Sequence, residues 1–321
     1  MKRVVLGLLT FFCLSFSVYA EEVDIIIFTG QSNMVGIGAQ SISDDEMNYL
    51  NFSLLKGKVY EYKYAEDKII EYNTSNNIPN KIGEDKSYCQ NWYCIASEKN
   101  NYALISSFVS EYISLTGRNV VIIPSAVNGR NIDWFQPQNS YEEINEGNNI
   151  FSFLVKKYNK AVNRLKEDGF TIGNSFYVMY DGEHDSDKNE EKYTKLYMNF
   201  HNTLINKSDV EFGAVIEPGL AYIQGDTEYT APEQEYKLDK YFQNMTLTTN
   251  NLFVASSLPV LLSQPGEVAK KNMVDRVHLN YDSLRLIGRD AAKNIINQKN
   301  LIVGKDNTCI STIGIDERNL Y

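Results

Sequence analysis

The chain has 321 residues, 43% of them apolar and 22% charged, enough for a full core in one large domain or two small ones. Its 31 Lys+Arg against 41 Asp+Glu leave a net charge of -10, which argues against a nucleic-acid backbone or an anionic membrane surface as the main partner, since both need a basic face. With 22 Tyr, 15 Phe and only 7 Pro, the composition is also that of a folded chain, not a disordered one.

Residues 1–20 begin with Lys2 and Arg3, continue through a mostly apolar run from Val4 to Val18, and end in Val18-Tyr19-Ala20. A basic start, an apolar centre and small residues at the end make a secretory signal peptide. The rival, a membrane anchor, needs about 20 apolar residues, and this run is shorter before the chain turns acidic at Glu21-Glu22. The sequence therefore predicts a protein that is secreted or periplasmic, with no membrane attachment after the signal is removed. Beyond Cys13 three cysteines remain: Cys89, Cys94 and Cys309. In an oxidising compartment Cys89 and Cys94 fit a small disulfide loop, and no further ligands follow at zinc spacing.

Short β-branched runs then alternate with longer stretches of helical period. Strands are predicted at Val23–Phe28, Val120–Ile123, Phe176–Tyr180, Phe212–Ile216 and Leu252–Ala255. Apolar residues three and four apart predict helices over Tyr102–Leu115, Phe151–Leu165, Tyr193–Ile205 and Leu284–Ile296. Such alternation implies a mostly parallel sheet with helices on both faces. Residues 40–95 have weak periodicity and read as an insertion, and no linker or repeat marks a second domain. The expectation is one α/β domain over 21–321.

In an open parallel sheet, ligands collect at the carboxyl ends of the strands. The first predicted strand runs into Gly30-Gln31-Ser32-Asn33-Met34, which presents Ser32 at a helix start, either as an N-cap or as a nucleophile with its own N–H beside it. Asp275-Arg276-Val277-His278 places an orienting carboxylate three residues before a base, the pair a serine nucleophile needs; the alternative is a surface Asp/His pair. After the second strand comes Ala126-Val127-Asn128-Gly129-Arg130-Asn131-Ile132-Asp133-Trp134, where Gly129 either makes a turn or lets a backbone N–H approach a substrate. After the third comes Asp181-Gly182-Glu183-His184-Asp185, whose carboxylates lack the ligand periodicity of a calcium loop.

Taken in this order the four segments resemble the SGNH hydrolase superfamily, in its sialate O-acetylesterase and acetylxylan esterase-related group. Gly30 to Met34 matches the first block of that group, Ala126 to Trp134 the second, Gly182-Glu183 with Asp185 most of the third, and Asp275 with His278 the last. The resemblance implies a flavodoxin-like three-layer α/β/α sandwich and hydrolysis of an acetylated carbohydrate without metal or organic cofactor. Ser32 would attack, His278 would take its proton, and Asp275 would hold the imidazole. The backbone N–H groups of Ser32 and Gly129 would line the oxyanion hole. Gln31, Asn33, Asp181, Glu183 and Trp134 would contact substrate.

Two positions depart from the group's pattern. Asn128 replaces the first glycine of the second block. Asp181 stands where the group has a glutamine that donates to the oxyanion, and an ionised Asp would repel that charge. His184, in the slot of the wider superfamily's Asn, is the expected substitute donor. Two rival functions remain: a carbohydrate-binding protein with impaired catalysis, favoured by Asp181, and a lipase or thioesterase of the same superfamily.

Overall fold

The computed structural model describes residues 21–37, 57–64, 67–71, 103–138, 149–185, 187–232 and 238–299. The signal peptide, the Cys89–Cys94 loop, Cys309, most of the 40–95 insertion and the tail after 299 lie outside the described residues.

Seven strands form one sheet in the order β3-β2-β4-β1-β5-β6-β7. β1 (Glu22–Gly30) sits in the middle, parallel to β4 (Asn119–Ala126) and to β5 (Thr171–Tyr180). β6 (Phe212–Ile216) and β7 (Leu252–Ser256) extend the parallel sheet on one side. On the other side β2 (Val59–Lys63) adds in parallel and β3 (Lys68–Glu71) closes the edge as its antiparallel partner. From Val23 to Gly30 β1 is buried throughout, as a central strand covered on both faces must be.

Residues of alternating parity on β1 feed two separate apolar clusters. Ile26 and Phe28 pack with α2 (Ala103–Thr116) and α8 (Tyr281–Lys299) on one face. Val23, Ile25 and Ile27 pack on the other face with α3 (Ile150–Glu167), α4 (Glu190–Lys207) and α5 (Leu238–Thr248). This is the three-layer α/β/α sandwich that the sequence predicts. Where β1 ends, α1 (Ser32–Val35) begins, and two short helices, α6 (Leu258–Leu262) and α7 (Glu267–Asn272), lead from β7 toward α8. No helix among the described residues is long and apolar enough to cross a membrane.

Candidate active site

The site is built where β1, β4 and β5 end side by side. Gly30 is in register with Tyr180, and its neighbour Gln31 donates its N–H to the Tyr180 carbonyl at 3.0 Å. Gly30 has φ +123°, and a Cβ there would collide with that same carbonyl, so only glycine lets the chain turn from β1 into α1 at this point. Ser32 is the first residue of α1, fully buried, and its Oγ has no hydrogen-bond partner among the described residues. The carbonyl of Gly30 accepts the Val127 N–H at 2.7 Å, which ties the loop after β4 to the same spot.

His278 and Asp275 lie before α8. Asp275 Oδ2 is 2.7 Å from His278 Nδ1, while Oδ1 accepts the N–H groups of Val277 (2.9 Å) and His278 (2.8 Å). Burial would raise the Asp275 carboxyl, but the imidazole and these two N–H groups outweigh it and hold the group at about 2. An ionised Asp275 orders Nδ1 as the protonated nitrogen and leaves Nε2 as the basic one. Asn33, next to Ser32, carries this loop: its Oδ1 accepts the Leu279 N–H at 3.1 Å and its Nδ2 reaches the Val277 carbonyl at 3.3 Å. Ser32 and His278 make no hydrogen bond to one another here; such bonds commonly tighten only with substrate in place.

The expected substrate contacts behave differently from one another. Gln31 donates through Nε2 to Glu183, and Asn33 Nδ2 donates to Glu183 Oε1 at 2.6 Å. All three side chains are buried and bonded to one another, which ties the loop after β5 to the start of α1. His184 Nδ1 lies 2.6 Å from Gln31 Oε1. Since the Gln31 amide nitrogen faces Glu183, that oxygen can only accept, and Nδ1 must be the protonated nitrogen of His184. A neutral ring then offers a lone pair at Nε2, which fits the expected oxyanion donor poorly. Trp134 is half-buried against the core and carries the Arg130 guanidinium 4.3 Å above its ring centroid, so one of its faces is already covered. Gly129 has φ +68° with open space where a Cβ would be, so glycine is favoured there by the backbone conformation and not by crowding.

Asp181 is 1% exposed, and among the described residues neither carboxyl oxygen makes a well-formed hydrogen bond. Burial first, then the nearby Asp185 and Glu183, push this carboxyl well above the usual range; Lys188 and the close N–H of Gly182 pull the other way. One feature of the region has no counterpart in the sequence reading. Lys188, almost wholly buried, holds Asp185 at 2.9 Å and reaches Asp133 and Asp187, both at 3.1 Å. Asp185 in turn accepts the Ile132 N–H at 3.1 Å, so this lysine clamps the loop after β4 to the loop after β5. The Asp185-x-x-Lys188 spacing was its only signal in the sequence. Among the described residues no group of three or more His, Cys, Asp or Glu is arranged to hold a metal ion.

Comparison with known proteins bears on this arrangement. The family model described as "Carbohydrate esterase, sialic acid-specific acetylesterase" matches residues 22–297. A search of curated proteins finds no match. Among solved structures, a protein from Arabidopsis thaliana is similar with a TM-score of 0.53 at 15% identity, over 84% of this chain and 96% of that one. A carbohydrate acetylesterase from Xanthomonas citri is similar with a TM-score of 0.51 at 16% identity, over 85% of this chain and 56% of that one. NanS gives 0.51 at 8% identity, over 88% of this chain and 100% of that one. At these identities the structural likeness is one of fold. The family match takes in every element from β1 to the last turns of α8, and by it the chain belongs to the carbohydrate esterase family of sialic acid-specific acetylesterases, which makes it a carbohydrate O-acetylesterase.

Proposed function

We propose that the protein is an exported serine esterase that removes O-acetyl groups from a sugar through an acetyl-enzyme. In this reading Ser32 Oγ attacks the ester carbonyl, His278 Nε2 takes its proton, and ionised Asp275 stabilises the imidazolium that forms. The backbone N–H groups of Ser32 and Gly129 meet the oxyanion. His278 then returns the proton to the departing sugar hydroxyl. Water, deprotonated by the same imidazole, releases acetate and restores Ser32. The observation that carries the reading is a buried serine hydroxyl without a protein partner, next to the asparagine that holds an Asp–His pair in place.

The test is acetate release from acetylated sialic acid, acetylated xylan and an aryl acetate, comparing wild type with Ser32→Ala. Loss of turnover by a factor of about 10⁴ or more in the variant is expected, on the scale of removing a triad member. The preferred substrate names the sugar class. A folded Ser32→Ala protein that keeps its turnover would overturn the assignment.

A further inference from the structure

Three carboxylates follow β5 within five residues, and two are committed. Glu183 is held by the amides of Gln31 and Asn33, and Asp185 by Lys188 and the Ile132 N–H. Only Asp181 has both oxygens buried with no well-formed bond. It directly follows Tyr180, whose carbonyl binds the Gln31 N–H, so it stands level with the start of α1 across the β1–β5 pair. Along β5, Tyr177 and Met179 face the apolar cluster that also holds Val127, Ile132 and Phe135 of the loop after β4, and Asp181 is the next residue in that alternation. The carboxyl therefore lies on the side of the sheet that carries Gly129 and the loop after β4. Two other buried polar atoms without partners, Ser32 Oγ and Asn131 Oδ1, belong to the two segments beside it. Buried polar groups are paired in the great majority of cases, so orphans gathered at three adjacent strand ends mark groups kept for something other than the protein's own bonding.

Resting on the esterase reading above, we infer that Asp181 works as a neutral carboxylic acid whose O–H donates a hydrogen bond to the oxygen that turns negative when Ser32 attacks. The proton stays on Asp181 throughout, so nothing is transferred and the step needs no further reactant. The direction of its titration agrees: burial, Asp185 and Glu183 all favour the protonated form, and Lys188 with the Gly182 N–H does not reverse them. Tyr197 on α4, an electrostatic neighbour of Asp181, is itself held protonated by burial, so it adds no charge. A carboxylic acid kept neutral by an apolar site is a competent oxyanion donor. An Asp at this position then replaces the expected glutamine amide without the repulsion an ionised carboxylate would bring, and the case for a catalytically impaired binding protein loses its main support.

Asp181→Ala is expected to lower kcat by about a hundredfold with KM little changed, the scale of losing one oxyanion donor. Asp181→Asn, which donates from an amide in the same place, is expected to recover most of that loss. It should also remove the fall in kcat with rising pH that this inference assigns to ionisation of Asp181 in wild type. Thermal unfolding reads the protonation state without turnover. Where the folded protein keeps the proton and the unfolded chain releases it, stability falls as pH rises, so the melting advantage of Asp181→Asn over wild type should grow from about pH 4 upward. Carbon-13 titration of the Asp181 carboxyl in wild type, assigned through its backbone, reports the same state with no substitution. Undiminished kcat in Asp181→Ala, or a carboxyl that titrates like an ordinary aspartate, overturns the inference while loss of turnover in Ser32→Ala leaves the esterase standing. Wild type as inert as Ser32→Ala on every ester overturns both.

Discussion

The Asn33 side chain joins two segments through three hydrogen bonds. It donates to Glu183 after β5 and to the Val277 carbonyl, and it accepts the Leu279 N–H beside His278. Asn33 is 1% exposed and Leu279 and Glu183 are buried as well, so the Leu279 N–H and the Glu183 carboxyl have no ready water to replace it. Asn33→Ala is expected to cost about 2–4 kcal/mol in urea unfolding, from two buried groups left unpaired at about 1–3 kcal/mol each. Its kcat should fall at least tenfold as the His278 loop loses its anchor. Asn33→Asp should be worse at neutral pH, since it sets a carboxylate against Glu183 where a donor stood, and it should improve as pH falls and one of the two protonates. An Asp variant as stable as wild type at neutral pH would refute that account. The Ser32, Asp275 and His278 positions were legible because their order along the chain matches a known pattern. That Gln31, Asn33 and Glu183 bond one another was not legible, because a side chain's partner 150 residues away leaves no local trace.

At the scale of elements, the loop after β4 docks on the apolar cluster through Val127, Ile132 and Phe135, and Lys188 ties it to the loop after β5. Its ammonium is kept charged by Asp185, Asp133 and Asp187 together. Burial pushes the Asp185 carboxyl up to about 6, with Lys188 and the Ile132 N–H opposing. Lys188→Met strands a buried carboxylate, and the expected loss is about 3–5 kcal/mol near pH 8. The loss should shrink toward pH 5, where Asp185 takes up a proton in the folded variant while the unfolded chain stays ionised. Urea unfolding at the two pH values checks this, and an equal loss at both would show that the lysine acts through packing alone. The same contrast explains which elements could be read. The five buried parallel strands and the four long helices announce themselves as apolar runs or stripes, and the structure extends each by a few residues at most, apart from β5, which starts five residues earlier. β2 and β3 were missed because Val59–Lys63 and Lys68–Glu71 mix Lys, Glu and Tyr with few apolar residues, as an edge hairpin with a wet face does. α5 was missed because Leu238, Tyr241, Phe242 and Met245 give a stripe of only one and a half to two turns, set among polar residues.

At the scale of the whole molecule, the sheet carries a second buried polar cluster at the end away from Ser32. Asp24, near the start of β1, is fully buried, yet all its bonds are to the protein. It accepts Arg118 Nε at 2.5 Å and Nη2 at 2.7 Å, Tyr112 Oη at 2.8 Å, and the Asn174 backbone N–H at 2.7 Å. From Asp24 to Gly30 the strand advances six residues, roughly 20 Å at ~3.3 Å per residue, so this cluster lies at the opposite end of the sheet from Ser32. Asp24→Ala removes the acceptor for five donors, the Asn174 side-chain amide at 3.1 Å included, and leaves Arg118 with Glu22 at 3.0 Å as its remaining ion pair given by the geometry. A cost of about 3–5 kcal/mol is expected, the scale for breaking a buried pair by deleting one partner. Asp24→Asn, which keeps an oxygen toward Tyr112, should cost less. Neither change reaches the strand ends that carry Ser32, so kcat and KM on an aryl acetate should match wild type wherever the variant remains folded. Should kcat drop in folded Asp24→Ala protein, the far end of β1 would be shown to set the position of Ser32, and the separation of the two ends would fail.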